Sequence, residues 1–315
     1  MGMTADRATV SSSTAVRSGS LQAWGVAVRP RSLLVAISPV LVGGTLGFER
    51  TGAIDWLAAL LVLGAAVLMQ VITNMQNDVG YTLRGGDRSG TRTGLPRATA
   101  NGWLGVKDVQ RAIVLAALLA SVLGVTLVAY RGWPVLAIGS ASLLAALAYM
   151  GGPKPIAYTP FGELTVFVFF GLIAVTGTDW VLTGEVGRVS LTASVAIGAL
   201  AAAALAVNNH RDIAHDRLVG RRTFAVSVGA AGSRALYATL MLGAFALLPL
   251  MAWQAHAATL LLPVLLLPST VQLCHDFNRC PPGTAFNEVL FRTFRLELWF
   301  AALLATGALL GRVIG

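Results

Sequence analysis

The most regular feature of the chain is a recurrence of long charge-poor stretches, at about 33–48, 56–73, 112–129, 134–150, 164–178, 189–207, 235–253, 257–274 and 298–311. Each is apolar nearly all round, without the alternation that a barrel strand needs between lipid and lumen. Many extend towards the roughly 20 residues that a helix needs to cross about 30 Å of hydrocarbon. The pattern predicts about nine transmembrane helices and an all-α integral membrane protein. Small-residue runs such as Ala199 to Ala204 let helix backbones approach closely, because packing and not water exclusion joins helices within lipid.

Composition agrees: of 315 residues, 56% are hydrophobic and only 12% charged, and the mean hydropathy is +0.72. These values exclude a water-soluble globule. The net charge of +9 calls for no nucleic acid, because Lys and Arg gather on the cytoplasmic side of membrane proteins. With nine spans, 19 of the 23 basic residues fall in the N-terminal tail or in alternate loops on its side. The other four are Arg50, Arg131, Arg188 and Arg312. This bias predicts an N-terminus in the cytoplasm and a C-terminus outside, in a bacterial cytoplasmic membrane.

Residues 1–30 are rich in Ser, Thr, Ala and Arg, with no apolar core or cleavage pattern. They read as a disordered cytoplasmic tail, and residues 31–315 as one transmembrane domain. Trp56, Trp133, Trp180, Trp253 and Trp299 fall near predicted helix ends, where an amphipathic ring suits the headgroup boundary. Two cysteines, Cys274 and Cys280, make no disulfide framework.

Polar residues near membrane helices are costly unless they face a cavity or one another. One such stretch runs from Asn74 to Ala98 after the second span, another from Asn208 to Val226 after the sixth. On a helix a step of four residues turns only about 40°, so Asn74 and Asp78 are expected on one face and Asn208, Asp212 and Asp216 on another. The stretches continue alike: Asp87, Arg88, Gly90, Arg92 and Thr93 echo Asp216, Arg217, Gly220, Arg222 and Thr223. This suggests two four-helix halves, each giving an acidic helix end and a basic loop to one site, with a ninth helix added.

Asp and Asn oxygens beside many arginines make sense around Mg2+ and a diphosphate, the metal taking hard oxygens and the guanidiniums the remaining phosphate charge. His210 and His215 lack spaced His or Cys companions for zinc, and no Walker A motif is present. A third polar knot, Gly151 to Glu163, carries Lys154, one of two lysines, as either a cytoplasmic flank charge or a phosphate or carboxylate contact, and Tyr158 as either an interface anchor or a contact in the same mouth. A secondary transporter is the reading from a different class, and it predicts charges near the midplane. The charges here lie instead at one mouth.

At these residues the sequence resembles the UbiA superfamily of intramembrane prenyltransferases, most closely the branch acting on 1,4-dihydroxy-2-naphthoate in menaquinone synthesis. The segments are N-xx-ND-x-G from Asn74 to Gly80, GPKPIAYT-x-x-GE from Gly152 to Glu163, and NN-x-RD-x-x-x-D-x-x-x-G-[KR]-RT-x-AV from Asn208 to Val226. The resemblance implies an aromatic polyprenyltransferase that takes a polyprenyl diphosphate, an aromatic hydroxy acid acceptor and Mg2+. It carries metal or diphosphate roles to Asn74, Asp78, Asn208, Asp212 and Asp216, with Lys154 and Arg211 beside them. Asp78, Asp212, Asp216 and Lys154 are the expected catalytic residues. Arg88, Arg92, Arg97, Tyr158, Arg221 and Arg222 are expected to contact substrate, with Lys154 or Arg97 at the acceptor carboxylate. The family usually has an Asp three residues after Asp78, where this chain has Tyr81, and Asp87 is the expected replacement ligand. A phenolic acceptor such as 4-hydroxybenzoate is the alternative substrate.

Overall fold

The computed structural model describes residues 16–86, 93–281 and 283–314. Among them there is no strand, and the chain is a bundle of apolar helices. We number the spans α1 Leu21–Thr51, α2 Trp56–Leu83, α3 Val106–Arg131, α4 Trp133–Ala148, α5 Gly162–Thr183, α6 Arg188–Arg211, α7 Phe224–Ala255, α8 Ala258–Arg279 and α9 Phe286–Ile314. All but α4 are long and apolar enough to cross a membrane, and α4 is a shorter apolar helix of 16 residues. The protein is an integral membrane protein, and all nine expected stretches lie in these helices.

Local chemistry sets the ends and breaks. The Asp55 side chain caps α2 by accepting from the Ala58 amide at 3.0 Å, which satisfies one of the helix's orphan donors. The 28 residues of α2 reach about 42 Å, so its polar end projects beyond the hydrocarbon. Arg29, with φ 55° ahead of Pro30, breaks α1 between Leu21–Val28 and Leu34–Thr51. Gly229 at φ 72° kinks α7.

The first of these breaks corrects one expectation. The tail was expected to stay loose through residue 30, yet Leu21–Val28 is a helix packed on α2, with Ala23 and Ala27 fully buried. Ser20 caps it, and the Gly19 amide donates to the Trp103 carbonyl at 2.8 Å. Residues 1–15 lie outside the described residues.

The Ala-rich α6 is the hub of the bundle and packs against α1, α5, α7 and α9. It approaches α5 closely at Gly171, inside a π-helical turn at Phe167–Ile173. A Cβ there would lie 2.4 Å from Gly198 Cα and 2.5 Å from the Ser194 carbonyl. Gly171→Ala should therefore force α5 and α6 apart and cost about 2 kcal/mol, read as a lower unfolding temperature in detergent.

The apolar packing forms two main clusters. The first part of α1 with α2, α3 and α4 makes one; the rest of α1 with α5 to α9 makes the other. At one end Arg50 ties α1 to α5 through Asp179 at 3.1 Å and Thr183 at 2.8 Å. Asp179 is fully buried and also accepts from the Gly187 amide at 2.8 Å. That network gives Asp179 a structural role in closing this end.

Candidate active site

Between the two clusters lies a cavity of about 640 Å3, walled by α1 to α4 on one side and by α5, α6 and α9 on the other. This is the size of a cleft for an organic ligand. Its polar wall includes Asn74, Asn77, Asn208 and Arg211, while Val62, Ala66, Phe169, Phe170, Ile173 and Val181 belong to its apolar body. Trp180, three residues before the end of α5, also lines this cavity. On α3 and α4, Val125, Leu136 and Ile138 line the cavity and remain exposed.

The face that α2 turns to the cavity carries Met69, Gln70, Thr73, Asn74 and Asn77. This is the three- and four-residue spacing of one helical stripe. Asn74 is buried, donates to the Val28 carbonyl at 2.7 Å and Ser32 Oγ at 2.8 Å, and accepts from Gln70 at 3.2 Å. It thus anchors the break in α1. Asn77 Oδ1 is buried with no hydrogen-bond partner among the described residues.

Asp78 departs from the expected row with Asn74. It is fully buried and not part of the cavity wall. Its Oδ2 accepts from the Ala98 amide at 2.8 Å, and its Oδ1 from the Thr99 amide at 2.9 Å and the Thr99 hydroxyl at 2.5 Å. The carboxylate therefore staples the returning loop to α2.

After Asn208 the helix stops at Arg211, and Asp212 adopts a non-helical conformation before the short helix Ile213–Leu218. The four-residue spacing survives in the backbone, where the Asp212 amide donates to the Asn208 carbonyl at 3.1 Å and the Asp216 amide to the Asp212 carbonyl at 2.7 Å. Arg211 grips Asp212 with two bonds, Nε to Oδ1 at 2.8 Å and Nη2 to Oδ2 at 2.7 Å, and donates to Asn287 at 2.7 Å. Asp216 is fully buried and accepts from Arg221 Nη1 at 2.7 Å. Arg221 also donates from Nε and Nη2 to the Ala157 carbonyl at 3.0 and 2.8 Å. Burial pushes its guanidinium down to about 9, which leaves it cationic at neutral pH.

The two polar stretches converge. The Arg221 guanidinium carbon lies 4.9 Å from the Tyr81 ring centroid, and that of Arg97 lies 3.5 Å from the same ring. Tyr158 sits below Arg221 and Arg84, at 5.6 and 5.7 Å. The Arg222 amide donates to the Tyr158 carbonyl at 3.1 Å, while its side chain is exposed. Lys154 is exposed and outside the cavity wall. Asp87, Arg88 and Arg92 lie outside the described residues.

Sequence reasoning missed Arg29 and Arg31, which line the cavity; their place just before the first span was the available signal. It also missed Asn77, although Asn77 stands within the N-xx-ND segment, and Tyr149, another cavity residue. Asn209 donates to Glu163 at 2.9 Å, which joins the third polar knot to α6.

The chain matches the UbiA prenyltransferase family over residues 36–294. It belongs to that family. Such a chain is an enzyme of prenyl transfer, and its relatives carry the match beyond the motifs. One is the 1,4-dihydroxy-2-naphthoate octaprenyltransferase of Escherichia coli (strain K12), 30% identical over 298 residues, covering 92% of this chain and 96% of that protein. Another is the 1,4-dihydroxy-2-naphthoate octaprenyltransferase of Mycobacterium tuberculosis, 37% identical over 222 residues and covering 70% and 75%. Among solved structures, a UbiA homolog from Archaeoglobus fulgidus bound to GPP and Mg2+ superposes with a TM-score of 0.67 at 16% identity, covering 91% of this chain and 99% of that one. At that identity the likeness is one of fold.

Proposed function

We propose that this family member transfers a polyprenyl group from its diphosphate to 1,4-dihydroxy-2-naphthoate, with loss of CO2, in menaquinone biosynthesis, using Mg2+ as cofactor. The observation that carries the reading is the cavity between the two clusters, with carboxamides and Arg211 in its wall beside Asp212 and an apolar body behind them. A diphosphate ester of a polyprenyl chain has this polarity, an anionic head on an apolar tail. The names borne by the relatives favour dihydroxynaphthoate as acceptor.

The donors fit Mg2+. They are oxygens, including the buried, unpartnered Asn77 Oδ1, and hard cations take carboxylate and carboxamide oxygens. Among the described residues no three His, Cys, Asp or Glu side chains cluster as a ready metal site. Asn77, Asn208, Asp212 and Asp216 would hold the metal together with phosphate oxygens and water. Asp78 serves through the loop it staples. When bound, Mg2+ supplies positive charge against the departing diphosphate.

The protein's own groups do the rest. Arg211, and Arg29 and Arg31 from the α1 break, meet phosphate charge as the allylic carbon–oxygen bond breaks. The apolar wall excludes water from the allylic cation while the electron-rich ring attacks it at the carboxylated carbon, which then loses CO2. The tail costs about 0.8 kcal/mol per CH2 to hydrate, so it lies along the apolar body and leaves towards lipid past α3 and α4. Membrane orientation follows the basic bias, with the N-terminus in the cytoplasm, the C-terminus outside, and the site at the cytoplasmic face of a bacterial membrane.

The test is purified protein in lipid nanodiscs with Mg2+, a radiolabelled polyprenyl diphosphate and a panel of naphthoate and benzoate acceptors. Prenylated naphthoate is expected, and chelation by EDTA should abolish its formation until Mg2+ is restored. Exclusive prenylation of 4-hydroxybenzoate would replace the acceptor. Turnover that persists in EDTA would remove the metal.

A further inference from the structure

We infer that Tyr81 is the positioning residue that locks the two polar loops into one diphosphate site, by offering its ring to two guanidiniums where a carboxylate is expected. This rests on the reading above. Tyr81 is 2% exposed near the end of α2. Its ring has a shaped seat: the Gly86 amide donates to the Tyr81 carbonyl at 3.0 Å, and a Cβ at Gly86 would lie 2.6 Å from Tyr81 Cδ1.

The connection runs through both halves. Arg97, stacked on the ring at 3.5 Å, immediately precedes Ala98 and Thr99, whose amides hold Asp78. Arg221, 4.9 Å from the ring centroid, holds Asp216. A guanidinium has a flat face and an edge of N–H donors, and a ring takes the face while leaving the edge free. Arg221 thus keeps its edge for Asp216 and the Ala157 carbonyl. A carboxylate at position 81 would draw those donors away from Asp216. It would also add a negative charge to the junction of the two loops, to be offset by metal. The ring holds both arginines without that charge, so part of the affinity for diphosphate does not require Mg2+.

The experiment measures binding of inorganic diphosphate to the full-length protein in nanodiscs by calorimetry, once with Mg2+ and once with EDTA. Tyr81→Phe should stay within about threefold of the unsubstituted protein in both conditions, because the ring remains. Tyr81→Leu should weaken binding about tenfold in both, and Arg97→Lys, which keeps the charge but loses the planar face, should do likewise. Tyr81→Asp should weaken binding in EDTA about tenfold more than in Mg2+, a change in ratio that a merely structural role would not produce. Thermal unfolding identifies any variant that fails to fold, and Arg97→Lys serves if Tyr81→Leu does. Unchanged binding in folded Tyr81→Leu or Arg97→Lys, or an unchanged ratio in Tyr81→Asp, overturns the inference and leaves the proposed function standing. An unsubstituted protein that binds no diphosphate even with Mg2+ overturns both.

Discussion

Asp216→Asn is expected to lower prenyl transfer by about a thousandfold, the scale seen when preorganised charge at a reacting centre is removed. The carboxylate is fully buried and receives a 2.7 Å bond from Arg221. A carboxamide of the same shape still accepts that bond, yet it no longer balances the guanidinium and is a poorer oxygen ligand. The loss should therefore fall on kcat with radiolabelled donor at saturation, while the protein still inserts and folds. Asp212→Asn should behave similarly, because Arg211 grips both Asp212 oxygens. Wild-type turnover in Asp216→Asn would take this residue out of the site.

Asp78→Ala should fail differently, by destabilising the protein as well as silencing it. Removing the carboxylate strips partners from two buried amides and one hydroxyl in the Ala98–Thr99 turn. Charge-assisted bonds of this kind leave a penalty of about 3 kcal/mol when broken. The expected result is a lower unfolding temperature together with lost turnover. A group acting only as a metal ligand would lose turnover at unchanged stability. Asp78→Asn separates the cases further, because its NH2 meets an amide donor that only an acceptor can satisfy. An unshifted melting curve for Asp78→Ala would show that the staple contributes little.

The eight long apolar helices and the shorter α4 were legible because lipid imposes a single solution: a chain without water partners must close its backbone bonds within helices. The breaks were not. The eight-residue helix LQAWGVAV is followed by Arg29, Pro30 and Arg31, whose two charges and one proline interrupt the apolar run and set the apparent start of the first span after them. Its burial against α2 comes from two alanines that carry little hydropathy.

The acidic stretches pointed to one region of the bundle but not to which way each oxygen faces. Helical spacing placed Asn74 and Asp78 together, yet Asn77 shares the cavity stripe with Asn74, and Asp78 faces the loop. Lys154 illustrates the same limit. A rare lysine in a polar knot looks functional, and the described fold leaves it exposed, outside the cavity wall. Tyr81 was visible only as a missing acid. Its partners come from loops 16 and 140 residues further on, a relation that local pattern does not encode.

Arg50 and Asp179 knit α1 to α5 at the end remote from the polar loops. That tie draws the helices together at the end away from Asn74 and Arg211, while Val125, Leu136 and Ile138 leave the cavity open sideways between α3 and α4. A long apolar chain can therefore slide in from the bilayer without threading through a narrow pore.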